Sequence, residues 1–155
     1  MTRYAAETSV STEASRMEIE RTLRRYRADA FAYATEGMKA SIMFRMAGRD
    51  VRFVLNLPDP EDREFTQHSR GARTAEAAEK AWEQACRQRW RALALVIKAK
   101  LEAVSAGITT VEDEFLAHTL LPNRQTVSEW VQPQMAVAYE SGAMPSHFLL
   151  EGPSK

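Results

Sequence analysis

From Thr74 to Ala106 the chain contains neither proline nor glycine, and no other stretch constrains the fold as strongly. It is dense in Ala, Leu, Glu, Gln, Lys and Arg, the residues that lose least on entering a helix. Thr74 can cap its N-terminus, and Glu76 and Glu79 suit the positive end of the helix dipole. Gly107 suits the left-handed residue that closes a helix. Trp82, Cys86, Trp90, Leu93, Ile97, Leu101 and Val104 recur at steps of three and four and so share one apolar face. At 1.5 Å per residue such a helix is roughly 45–50 Å long.

Cations decorate this helix in two ways. Lys80, Arg87, Arg91 and Lys98 form a stripe away from the apolar face, with Glu76–Lys80 and Glu83–Arg87 as favourable i, i+4 pairs. Arg89 and Lys100 fall at the edge of the apolar face, where their stems can run along the core margin. The stripe reads first as a solvated face. The whole chain has zero net charge, which disfavours strong nonspecific phosphate binding. The charge is uneven, however: residues 1–107 hold 19 Lys/Arg against 15 Asp/Glu, and residues 108–155 hold 2 against 6.

Residues 30–57 change period from 3.6 to two. Phe31 and Tyr33 alternate with Ala30, Ala32 and Ala34. Ala40, Ile42, Phe44 and Met46 then alternate with Ser41, Met43 and Arg45, and Val51, Phe53, Leu55 and Leu57 with Arg52, Val54 and Asn56. Turns at 36–39 and 47–50 make this a three-stranded antiparallel meander. With Gly48 as the first residue of a type II′ turn, Phe44 faces Phe53, Ile42 faces Leu55, and Arg45 lies across from Arg52. Phe31 then pairs with Phe44, and Tyr33 with Ile42. The long helix is expected to cover the Phe/Ile face, since nothing else is apolar enough. The reverse face carries Ala30, Ala32, Ala34, Ser41, Met43, Val54 and Asn56 with the two arginines, and like charges facing each other need relief. A second copy or another protein, a phosphate, or a carboxylate from the 59–64 loop or the C-terminal third could each supply it.

An earlier helix is expected from near Ser11–Ser15, with Ser15 and Glu18 as a capping box. Ile19, Leu23 and Tyr26 lie on its inner side, and Arg21, Arg24 and Arg25 on its outer side. Residues 58–73 read as a long polar connection whose acidic residues match no calcium-loop spacing. Thr109 and Glu112 suggest a capping box for a short helix directing Val111, Phe115 and Leu116 inward. Thr126 and Glu129 suggest another, carrying Val127, Trp130, Val131, Met135 and Ala138 as its apolar stripe. Pro133 is expected to kink or break that helix before Gly142 ends it. Residues 1–10 and 143–155 read as flexible or partner-docking, the latter apolar at Phe148–Leu150. The sum is one α+β domain over 1–155, of order α-β-β-β-α plus two short C-terminal helices.

Signals for catalysis are absent. There is no phosphate-cradling glycine loop and no nucleophile elbow. The single Cys86 excludes an intrachain disulfide and multi-cysteine metal sites. Glu114 and His118 at i, i+4 read as a surface ion pair, short of the three or four ligands zinc requires. We therefore expect no catalytic residue, cofactor or metal. No apolar run is long enough to span a bilayer, and the chain reads as cytosolic.

Three stretches, Arg87-Gln-Arg-Trp-Arg-Ala-Leu-Ala-Leu-Val-Ile-Lys-Ala-Lys-Leu-Glu-Ala-Val104, Gly107-Ile-Thr-Thr-Val-Glu-Asp-Glu-Phe-Leu-Ala-His118 and Phe53-Val-Leu-Asn-Leu-Pro-Asp-Pro-Glu-Asp-Arg-Glu-Phe-Thr66, carry a further signal. The chain resembles, over most of residues 11–140, a family of small, mostly uncharacterised proteins encoded by bacteriophages and prophages. That resemblance implies phage origin and action in a bacterial cytoplasm, and it carries over no catalytic residues; modulation of a host or defence system belongs to the first function class below. Two function classes follow. The first is a non-enzymatic interaction protein, a homodimer or host-protein binder, using the outer sheet face with Met43 and Val54. The second is a nucleic-acid-binding accessory of phage replication or recombination, using Arg45, Arg49 and Arg52 with Arg87, Arg91 and Lys98. It ranks lower because the outward sheet positions offer no aromatic residue for base stacking.

Overall fold

The structure is a computed structural model describing Ala5 and residues 7–144. Residues 1–4, 6 and 145–155, and with them the tail expectation, lie outside the described residues. Helix α1 (Thr12–Arg25) leads into strands β1 (Ala30–Glu36), β2 (Lys39–Met46) and β3 (Arg49–Asn56). A short helix α2 (Arg63–Thr66) and a small hairpin, β4 (Gln67–His68) and β5 (Gly71–Ala72), precede the long helix α3 (Ala75–Ser105). Helix α4 (Val111–Glu114), a 3₁₀ turn at Leu116–His118 and helix α5 (Val127–Ser141) complete the fold. It is the expected α+β order, with β1-β2-β3 as an antiparallel meander.

The caps follow local chemistry, though two are displaced from the sequence reading. Thr74 accepts from the Ala77 amide and opens α3, and Gly107 follows its end at φ 73°. Helix α1 is capped by Ser11, whose hydroxyl accepts from Ala14 N–H; Ser15 lies inside the helix, fully buried. Helix α4 is capped by Thr110, not Thr109. At Thr126 both halves of the capping box form, and Gly142 closes α5 in the left-handed region. Pro133 does not break α5, which runs through it from Val127 to Ser141.

The meander keeps its faces and changes its register. Phe31 pairs with Phe44 and Tyr33 with Ile42, as expected. Between β2 and β3, however, Phe44 pairs with Val51 and Ile42 with Phe53, two residues from the expected partners. The connection is Ala47-Gly48, with φ of 50° and 70°, the pair of left-handed residues a type I′ turn requires. Moving the turn back by one residue shifts every pair by two, so no side chain changes face. Arg45 therefore meets Asp50 instead of Arg52, with Nε 2.7 Å from its carboxylate. An opposed pair replaces a like-charge pair, which offsets the strain of an alanine at positive φ. Asparagine tolerates that conformation better, so Ala47→Asn is expected to raise stability by about 0.5–1 kcal/mol. Chemical denaturation measures it, and a loss of stability would refute the turn assignment.

The core forms where this sheet meets both helices. Ala40, Ile42, Phe44, Met46, Val51 and Phe53 on the inner sheet face pack with Trp90, Ala94, Ile97 and Leu101 of α3. The long helix does not cover the sheet alone: Ile19 and Leu23 of α1 and Phe115 after α4 share the cluster. Phe115 sits edge-on to Phe44 and Phe53, ring centroids 5.4 and 6.2 Å away. Leu116, expected inside, is exposed. Polar ties fasten the layers. Arg91 pairs with Glu18 and Tyr26 donates to Glu102, both joining α1 to α3, and Lys100 holds the Glu114 carboxylate at 2.8 Å. Arg89 donates to the Asn56 carbonyl at 2.9 Å. The 58–73 connection is more structured than its composition implies, because Phe65 is buried and anchors α2. Near the N-terminus Ala5 is buried and Gln84 donates to the Thr8 carbonyl.

Candidate interaction surface

The most apolar helix of the fold buries none of its residues. On α5, Met135, Val137 and Tyr139 are 42%, 59% and 83% exposed. Val131, Gln134, Met135, Ala138 and Tyr139, with Gly142, Ala143 and Met144 beyond the helix end, line a groove of about 420 Å³. The spacing of Val131, Met135 and Ala138 places them on one line of the helix. Sequence periodicity marked this stripe as apolar but could not show that the domain core leaves it uncovered.

Helix α5 joins the domain at its first turn and through the segment before it. Leu120 N–H donates to the Asp50 carbonyl at 2.8 Å, and Val51 bridges Thr119 on the free edge of β3. Arg52, on the outer sheet face beside Met43, reaches the Glu129 carboxylate at 2.8 Å. Accepting the Thr126 amide, with Arg52 nearby, holds the Glu129 carboxyl below its ordinary pKa of 4.5. The carboxylate relieving Arg52 thus comes from the C-terminal third, one of the three sources considered. The rest of the outer face stays open: Ala30, Ala32, Ala34 and Val54 are exposed and Met43 half-buried.

The basic residues proposed for phosphate contact are largely engaged. Arg45 pairs with Asp50, Arg52 with Glu129, Arg91 with Glu18, and Arg87 with Glu83 at 3.8 Å. Arg87 also donates to Gln84 at 2.6 and 2.9 Å. Arg49 and Lys98 make no salt bridge among the described residues. These cations are spread over the sheet and α3 and do not line one groove with Met43 and Val54. No group of three or more His, Cys, Asp or Glu that could hold a metal occurs among the described residues. Nor is any described helix long and apolar enough to cross a membrane. Cys86 is buried on α3, and burial pushes its thiol pKa upward.

His118 was missed as a structural element. Glu114, its expected partner, turns instead to Lys100. The imidazole stacks on Phe53 with ring centroids 3.9 Å apart. Burial first, then repulsion from Lys100, holds its pKa below 6.5, against an opposing hydrogen bond involving the Arg52 backbone. The fold therefore favours neutral His118, so its contribution to stability is complete above pH 6.5 and is lost as pH falls through the lower, folded value. Acid unfolding of the wild type is expected to steepen in that window, and His118→Phe, which keeps the stack, is expected to flatten it. An unchanged profile would remove the assignment. No family model matches the chain, and no curated protein or solved structure shows significant similarity to it.

Proposed function

We propose that the chain is a non-enzymatic interaction protein that self-associates through α5 and the adjoining outer sheet face. The observation that supports this reading is the apolar surface of α5, left open while the core is closed elsewhere. Patches of this kind on a soluble domain mark interaction sites. The only charges on α5 are Glu129 and Glu140, so it suits neither a phosphate backbone nor an anionic lipid surface. Helix α5 spans about 22 Å, and one face of it falls short of the roughly 800 Å² per partner that a stable interface buries. Such a dimer therefore draws further area from Met43 and Val54, next to Arg52 on the outer sheet face. On the resemblance to small phage-encoded proteins, the dimer acts in the cytoplasm of a bacterial host, on a host or defence component.

Light scattering behind size exclusion tests the reading. The wild type is expected to run as a dimer. Tyr139→Glu and Met135→Glu are expected to weaken dimerisation by about 100-fold, the effect of burying an unpaired charge. Charged substitutions at Met43 and Val54 act in the same direction if the sheet extends the interface. A monomer at all concentrations overturns self-association, as does a dimer indifferent to the α5 changes. A monomer that dimerises only when the chain is cut after Met144 assigns the groove to residues 145–155 instead.

A further inference from the structure

A second concave surface shares no lining residue with the α5 groove. It is a cleft of about 420 Å³ between the first turns of α1, Tyr33 of β1, Leu57, and the first half of α3. Trp82, Cys86 and Trp90, four residues apart, place their side chains along one line of α3 at this cleft. The Trp82 indole N–H is already committed to the Pro58 carbonyl at 2.8 Å, so this ring has only apolar surface to offer a ligand. Tyr33 lies 5.6 Å from Trp90, tilted by 52°, and is 36% exposed, whereas Cys86 and Trp90 beneath it are buried. The Arg16 guanidinium covers the Tyr33 ring at 4.7 Å and approaches Trp90 at 5.9 Å.

The charges around these rings are balanced, two carboxylates against two guanidinium groups. Arg16 is 3.9 Å from Glu13, and Arg87 is 3.8 Å from Glu83, both near the outer limit of an ion pair. Partly exposed ion pairs of this length are weak, and Arg87 is held more closely by Gln84, and Glu13 by the Thr12 hydroxyl, than either is by its charged partner. Two carboxylates beside two guanidinium groups offer a polyanion no net attraction. They match a small molecule carrying one positive and one negative group. An apolar aromatic floor with a few polar groups at its margin, in a volume of this size, is the usual build of a small-molecule site.

We propose that this cleft binds a free, zwitterionic aromatic amino acid. Its ring lies against Trp82 beside Tyr33, its ammonium pairs with Glu13 and Glu83, and its carboxylate with Arg16 and Arg87. Binding is independent of the α5 surface and of the state of association.

Saturation-transfer NMR and calorimetry on the full chain test this with three probes: L-tryptophan, tryptamine, which lacks the carboxylate, and indole-3-propionate, which lacks the ammonium. L-tryptophan is expected to bind saturably with a Kd of about 1 mM or tighter, and each analogue at least about tenfold more weakly. Trp82→Ala is expected to abolish saturable binding. Because that change could disturb α3, the solvent-facing Glu83→Gln provides the second test: about tenfold weaker L-tryptophan binding at unchanged melting temperature. Absence of saturable binding, equal or tighter binding of either analogue, or affinity unaltered by Glu83→Gln would each overturn the proposal.

Discussion

Replacing Phe115 with alanine is expected to destabilise the protein by about 3–5 kcal/mol, the usual range for removing a fully buried aromatic side chain. Phe115 has no exposed surface and meets both Phe44 and Phe53 edge-on. Part of the loss is transfer free energy and part is the cavity left between the sheet and the segment after α4. Edge-to-face ring pairs add to this beyond their buried area. The change should also loosen the C-terminal segment, since Thr119 and Leu120 reach β3 only a few residues later. Hydrogen exchange at the Leu120 amide, bonded to Asp50, should therefore accelerate beyond the global change. Leu116→Ala, one residue on but 54% exposed, is the control and should stay within about 0.5 kcal/mol of wild type. If denaturant titrations placed the two variants together, the arrangement of the core around Phe115 would be wrong.

Leu23→Ala is expected to cost about 2–5 kcal/mol by the same mechanism. This prediction bears on a question the sequence left open, namely what covers the sheet. Leu23 lies on α1 with no exposed surface and belongs to the cluster containing Ile42, Phe53 and Ile97. Were α1 an accessory helix on the back of α3, Leu23 would be a marginal contact and the loss would be near 1 kcal/mol or less. The polar ties between the helices, Arg91 with Glu18 and Tyr26 with Glu102, are partly exposed and cannot replace the lost packing. Urea titration at neutral pH, with unchanged slope and a lower midpoint, is the expected signature.

The fold was largely legible because its elements are specified locally. The length of α3 follows from the absence of Gly and Pro between Thr74 and Gly107, and the meander from period-two alternation around two short turns. Caps at Thr74, Thr126 and Gly142 were readable because a capping side chain or a left-handed glycine acts within three residues. Ser15 was misread because its spacing to Glu18 mimics a capping box, while Ser11 stands four residues earlier, outside the apolar pattern. Phe65 was passed over because a single aromatic residue in an acidic stretch gives no period to detect.

The candidate surfaces were less legible. Met43 and Val54 were placed on the outer face because strand alternation fixes the side of each residue whatever the register. The neighbours of Arg45 and Arg52 depend on which turn forms. That choice joined Arg45 to Asp50 and left Arg52 to Glu129, distant in sequence. The aromatic cleft could not be found by spacing either, because Arg16, Tyr33 and Trp82 come from three separate elements.

By itself, then, the sequence determined which segments are helix or strand and which of their faces are apolar, since propensity, capping and side-chain period act over a few residues. Only the tertiary structure decided which apolar faces meet. It gave the inner sheet face to α1, α3 and Phe115, and left the stripe on α5 with no fully buried residue among the described residues. The physical reason is that apolar attraction has no direction: pattern marks a surface as one that favours burial, and only the closing of the whole chain selects its partner.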